Sequence, residues 1–271
     1  MNVPRFLCIV VFLSVFSLGF KGSNDNQTEK VPGILSGQAV MSSDEELVYE
    51  VSWTFFKLGT IRIKARKDYT AEARIDSYEG VPFVDLHSIH YTIMDSAFFS
   101  HASRTVEKKE GEWKGLDYLY DLPNKLLVVQ ETVQKDPRTD PYRRTVRDTL
   151  LLPTSEFVDG LSIAYYPRRM VHTVQTVDVP TVLYGKFGTT TFRLRNNRTT
   201  EQIDVLDDPV RVIEIEGTTG VEGVFGMSGD FKGWFSDDDA AVPIKGKLKV
   251  LLGNVNVELI QWKRGGWNPP R

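Results

Sequence analysis

The side chains able to do chemistry are few and scattered. The densest acidic cluster is Asp237-Asp238-Asp239. Three carboxylates supply the oxygen ligands that Ca²⁺ takes, or an acid/base pair. Consecutive strand residues point to opposite faces, so these three converge only in a loop. No alternating Asp/Asn pattern with Gly surrounds them, and a solvated hairpin turn is the expectation. The histidines are His87, His90, His101 and His172. On a strand, positions 87 and 90 face opposite sides and make poor partners for one metal ion. His101 lies near Ser100 and Ser103, but no Gly-x-Ser-x-Gly elbow marks a nucleophile there. Residues 217–229 (GTTGVEGVFGMSG) hold five glycines. A phosphate cradle needs Lys-Ser/Thr and a following helix; here Asp230-Phe231-Lys232-Gly233-Trp234 reads as strand. The expectation is a mobile loop whose Val221, Val224, Phe225 and Met227 cover the mouth of a cavity.

Tyr165-Tyr166-Pro167-Arg168-Arg169 places two cations at the end of an expected helix, where the backbone dipole favours them by about 0.3–1 kcal/mol each. Arg168 is expected to anchor structure by pairing with Asp159 or a sheet carboxylate. An anion or lipid-headgroup contact is the functional alternative. No catalytic, cofactor-binding or metal-binding residue emerges, and no cofactor is expected.

The N-terminus speaks to compartment. Arg5 precedes the apolar run FLCIVVFLSVF, and Ser17-Leu18-Gly19 supplies small residues for cleavage. That is the layout of a secretory signal peptide over residues 1–19. The run is shorter than the ~20 apolar residues of a membrane span. The single cysteine, Cys8, lies inside it near its start. The mature chain is then free of thiols, which excludes disulfides, cysteine nucleophiles and Cys-ligated zinc. It also argues against a lipid anchor. The protein is expected to be exported, periplasmic or extracellular, with no membrane span after cleavage.

The 271 residues carry 33 Lys and Arg against 36 Asp and Glu, a net charge of −3. A mildly acidic chain exerts no long-range pull on nucleic acid, so no nucleic-acid partner is expected. Residues 20–43 are polar and Gly/Ser/Asn-rich, a flexible leader. Residues 44–264 form a single β-rich domain, and 265–271 a C-terminal tail.

From Leu47 onward apolar residues recur with period two, the strand period. Leu47, Tyr49, Val51 and Trp53 alternate with smaller or polar neighbours, as do Ile61, Ile63 and Ala65. This predicts a hairpin turning near Gly59, with Tyr49 and Trp53 on one buried face. Strands are expected at 83–92, 112–121, 125–133 and 142–150, then at 172–183, 186–194, 210–216, 230–235 and 242–262. Gly246 and Gly253 are expected to place turns or bulges in the last stretch. One segment departs from this rhythm. Residues 154–166 have apolar positions 157, 158, 161, 164 and 165, the spacing of one helix face. Pro153 precedes it and Pro167 ends it, so a helix of about three turns is expected.

The fold class is therefore mainly β: a strongly curved antiparallel sheet, half-barrel or sandwich-like, with one short helix packed on it. Phe157, Val158, Leu161, Ala164 and Tyr165 should pack on the concave side. They either fill it or leave an apolar cavity. In the second case Phe157, Leu161, Tyr165 and the loop residue Phe225 are the candidate ligand-binding residues.

Three stretches bear a resemblance. Glu45-Glu46-Leu47-Val48-Tyr49-Glu50-Val51-Ser52-Trp53, with Leu58-Gly59-Thr60, resembles the opening strand pair of an uncharacterised bacterial exported family catalogued as domain of unknown function 3108. Residues 159–168 (DGLSIAYYPR) resemble its mid-domain helix, although Gly160 departs from it. Residues 235–244 (FSDDDAAVPI), with Leu252-Gly253-Asn254-Val255, resemble its C-terminal hairpin. The resemblance implies an exported β-rich domain and brings no reaction or ligand.

Three functions are expected to compete. The first is a non-enzymatic envelope protein binding an apolar small molecule, a lipid or another envelope component. The second is a structural or interaction module without a small ligand. The third is a carboxylate-dependent hydrolase of envelope polymers. A mostly apolar cavity favours the first, a filled core the second. A polar cleft with two carboxylates within about 10 Å favours the third.

Overall fold

The period-two alternation becomes fourteen strands among the described residues of a computed structural model, which are 33–81, 85–183, 185–221, 229–250 and 253–271. The expected signal peptide, residues 20–32 of the expected leader, and Phe225 with most of its loop lie outside them. The strands are β1 (Glu45–Trp53), β2 (Phe56–Ala65), β3 (Thr70–Ser77), β4 (His87–Met94), β5 (Ser100–Lys109), β6 (Glu112–Asp121), β7 (Leu126–Gln134) and β8 (Arg143–Leu151). After a long connection come β9 (Val174–Leu183), β10 (Lys186–Glu201), β11 (Val210–Thr219), β12 (Gly229–Ser236), β13 (Pro243–Val250) and β14 (Gly253–Arg264).

All fourteen form one antiparallel sheet in the order β8-β7-β6-β5-β4-β3-β2-β1-β14-β13-β12-β11-β10-β9. The order describes two meanders, β1–β8 and β9–β14. They are sewn together where the first strand meets the last, from Glu45 opposite Arg264 to Trp53 opposite Val255. The sheet does not close, and β8 and β9 are its edges.

The connection from β8 to β9 carries the core. Ser100 N–H donates to the Phe157 carbonyl at 2.9 Å, and Val158 N–H donates to that of Pro180 at 2.9 Å. Residues 157–158 are thereby bonded to both meanders. Phe157, Val158, Leu161 and Tyr165 are buried, divided among clusters that draw on both meanders. The expected three-turn helix is absent, and the segment holds only the 3₁₀ turns Ser162–Ala164 and Tyr166–Arg169. The reason is competition for backbone groups. The Val158 amide is spent on β9, and the Asp159 carboxylate accepts from the amides of Leu161 and Ser162 at 2.7 and 2.9 Å. Such local side-chain bonds favour turns over helix. The apolar spacing reflects burial on many sides.

Other expectations are corrected. The first hairpin turns at Thr54-Phe55, and Gly59 sits inside β2. A Cβ there would lie 2.2 Å from the Asp76 carbonyl oxygen, so close strand approach requires the glycine. Trp53 is half-buried and stacks on Phe56, because the β1–β2 register shifts between Val51 and Ser52. Gly246 lies in mid-strand, whereas Gly253 does turn the chain, at φ 92°. Residues 34–43, expected within the leader, pack on the domain. The α-helix Gly37–Val40 is capped by Ser36, and Val40 and Met41 are buried. The expected C-terminal tail is also docked: Arg211 N–H donates to the Pro270 carbonyl at 2.8 Å.

Strand β1, the connection and strand β14 meet at a buried ion cluster. Arg168 donates to both carboxylate oxygens of Glu45, at 2.6 and 3.0 Å, and to the Ala240 carbonyl at 2.9 Å. Arg264 donates to Glu45 at 2.8 Å and to the Val40 carbonyl at 2.7 Å. Arg168 thus pairs with a sheet carboxylate and anchors the structure.

Candidate functional site

The inner face of the sheet is underfilled for a physical reason. Three of its positions are glycines. Gly59 lies opposite Ser77, and Gly233 lies opposite Gly246. The space beside Gly246, where a Cβ would meet only Val257 at 3.7 Å, opens into a cavity of about 420 Å³; at Gly59 and Gly233 a Cβ would meet the Asp76 backbone and the Phe235 ring. Ligand pockets span about 300–1,000 Å³. Ile61, Ile75, Phe192, Phe231, Leu248 and Val257 line it from six different strands. The connection supplies a further wall through Gly160, Leu161, Ile163 and Pro167.

Strands β4–β6 contribute the polar wall, with His90, Ser103, Thr105 and Tyr118. One nitrogen of His90 lies 3.2 Å from Thr105 Oγ1, and the other lies 3.1 Å from Ser88 Oγ. Ser103 Oγ is 2.9 Å from the Tyr120 hydroxyl. Burial pushes the His90 pKa down to about 4, so the ring is neutral at pH 7. Between about pH 6.5 and pH 4 the unfolded chain binds a proton that folded His90 refuses. Stability should therefore fall as pH drops through that window, by about 3 kcal/mol in total at 1.36 kcal/mol per pKa unit. Urea unfolding at several pH values checks this against His90→Gln, which should lose that share of the dependence. Equal slopes in the two proteins would contradict it.

The carboxylate beside the cavity is occupied. Asp159 accepts from the Thr92 and Ser100 hydroxyls at 2.5 Å each and from two backbone amides. It holds the connection against β4 and β5. The acidic cluster 237–239 is the hairpin turn expected of it. Asp238 accepts from Ser236 Oγ and the amides of Ala240 and Ala241, and from Trp267 Nε1 at 2.8 Å. Asp237 pairs with Arg198 at 3.1 Å. His87 binds Asp76 at 2.8 Å while His90 turns to the cavity, so the two do face opposite sides. His101 lies 3.5 Å from Asp95. Among the described residues no three His, Cys, Asp or Glu side chains gather in a metal-binding group.

Of the expected ligand-binding residues, Leu161 borders the cavity. Phe157 instead packs on Tyr120 with ring centroids 4.7 Å apart, in a core cluster with Leu127 and Val182. Tyr165 is buried against Phe98 and beneath the Arg168 guanidinium. Both belong to the core. Phe225 lies outside the described residues, although Val221, where its loop begins, is buried at the cavity. The sequence reading missed Phe192, Phe231, Leu248, Val257 and His90. The alternation of 231, 233 and 235 was the available signal.

Fold and site together define a mainly β protein of one antiparallel sheet with a largely apolar cavity. The chain belongs to the protein family of unknown function DUF3108, whose model matches residues 48–260. Its fold is similar to that of a β-barrel-like protein of domain of unknown function DUF1849 from Brucella abortus. The TM-score is 0.51 at 10% identity, over 82% of this chain and 98% of that one. No curated protein matches the sequence.

Proposed function

We propose that this is an exported, non-enzymatic envelope protein that binds an apolar ligand in the cavity of its sheet. The cavity carries the reading. Its walls are largely apolar, and at Gly246 no side chain enters it. The sheet curves as a half-barrel around it. In support, Val129 of β7 lies 3.9 Å from where a Cβ on Gly185, in the β9–β10 turn, would stand, although β7 and that hairpin lie near opposite edges of the sheet. A hydrolase needs a second carboxylate and a free one; Asp159 is committed to four hydrogen bonds. Export rests on residues 1–19, and N-terminal sequencing of the secreted protein should start near Phe20.

The test is titration with an environment-sensitive apolar dye. The native protein should bind it at one saturable site, with a negative heat-capacity change from apolar burial. Absence of saturable binding would remove the ligand reading. An interaction module is the second reading, and one observation favours it. At the β1–β2 turn, Phe55 is 83% exposed and packs only 4.3 Å from the Phe56 ring. Phe56 is itself exposed, and contiguous exposed apolar surface marks interaction sites once it is large enough.

A further inference from the structure

We infer, resting on the ligand reading, that the group held in the cavity is an uncharged amphiphile: an apolar chain bearing one un-ionised hydrogen-bonding head. The two walls of the cavity differ in kind. Phe192, Ile215, Phe231, Leu248, Val255 and Val257 present no polar side-chain atom. Facing the same space, His90, Ser103, Thr105 and Tyr118 form one continuous polar patch. His90 and Thr105 are register partners, as are Ser103 and Tyr118, and positions 103 and 105 share a face. A hydroxyl offers one donor and two acceptor sites, and a neutral imidazole one of each. The bonds of His90 to Thr105 and Ser88, and of Ser103 to Tyr120, leave hydroxyl capacity over on Ser103 and Thr105. A pure hydrocarbon would cover that capacity with nothing to meet it, which costs free energy.

Charge sets the other limit. Every charged side chain among the described lining residues already has partners. Asp76 pairs with Arg74 and His87, and Arg104 with Asp117. Lys232 pairs with Glu214 and Glu216, and Lys245 with Glu201 and Glu258. Asp159 is held by Thr92, Ser100 and two amides. An ionised head drawn into the cavity would meet only charges that are already paired, and an unpaired buried charge is strongly disfavoured. The neutral state of His90 agrees with this environment.

Displacement of the bound dye near pH 8 tests the inference with three probes of equal chain length: 1-dodecene, 1-dodecanol and dodecanoate. The alcohol should displace the dye from the native protein at about tenfold lower concentration than the alkene or the ionised acid, the gain of about one well-placed hydrogen bond. Thr105→Val and His90→Phe should each cut the alcohol's advantage over the alkene to below about threefold, leaving alkene binding intact. Failure of the native protein to bind dye saturably would overturn the ligand reading itself. Saturable dye binding with the acid matching the alcohol, or the alkene matching it, would overturn this inference alone. The native comparison stands even if a variant does not fold.

Discussion

Glu45→Gln should destabilise the protein by about 3–5 kcal/mol, measured by urea unfolding. The carboxylate lies at the centre of a buried cluster in which Glu45, Arg168 and Arg264 are 3%, 1% and 4% exposed. One negative charge serves two guanidinium groups, with the Ala240 and Val40 carbonyls completing their shells. The amide keeps the shape and removes the charge, leaving two cations buried side by side. Removing one member of a buried pair is costly for that reason. The effect should be global, because the cluster ties β1 to β14 and both to the connection. A loss under about 1 kcal/mol would show that the cluster contributes specificity and little stability. Acid acts on the same group. Burial alone would raise the Glu45 pKa, but Arg168 and Arg264 outweigh it and hold the carboxyl below its ordinary value. Its contribution is thus present above the ordinary carboxylate range and is lost as pH falls through the lowered folded value. Glu45→Gln should flatten that acid limb.

Gly246→Leu should close the cavity and lower dye affinity by more than about tenfold while leaving the fold intact. Gly246 shares its face with Leu248 and Val257, both of which line the cavity. A Cβ at this position meets only Val257 Cβ at 3.7 Å, an ordinary contact. The new side chain therefore has room, and the room is the cavity. Replacing a strand glycine and filling a void each stabilise, so unfolding free energy should rise by about 0.5–2 kcal/mol. Higher stability with lost binding separates a ligand site from a packing defect. Unchanged affinity would place the dye elsewhere. At Gly59, by contrast, a Cβ collides with backbone. Gly59 should tolerate nothing larger.

Strands were legible in the sequence wherever alternation was strong. Glu112–Asp121 matches its expected limits, and the strands at 126–134 and 143–151 are each displaced by one residue at both ends from the expected 125–133 and 142–150. Strands β3 and β5 were not seen. Their sequences TAEARIDS and SHASRTVEKK are rich in polar and small residues, and tertiary context rather than propensity makes them strands. The segment 154–166 misled because a connection buried on many sides mimics a helical period. Its side chains were correctly expected inside, but their distribution between core and cavity depends on which strands they meet. The cavity was legible only as one of two alternatives. Its walls come from strands far apart in sequence, and the register alone reveals which glycines and side chains lie side by side along it. Gly233 opposite Gly246 is the clearest case. The pairing of Arg168 was narrowed to Asp159 or a sheet carboxylate. The choice of Glu45 needed the register that brings β1 beside β14.

Mass spectrometry of organic extracts tests the presence of a cavity ligand most directly. The native protein and Gly246→Leu would be purified side by side from the natural host without detergent. The native protein should release an un-ionised amphiphile in roughly equimolar amount, and Gly246→Leu should release little or none. Equal recovery from both proteins, or nothing from either, would contradict a ligand held in the sheet's cavity.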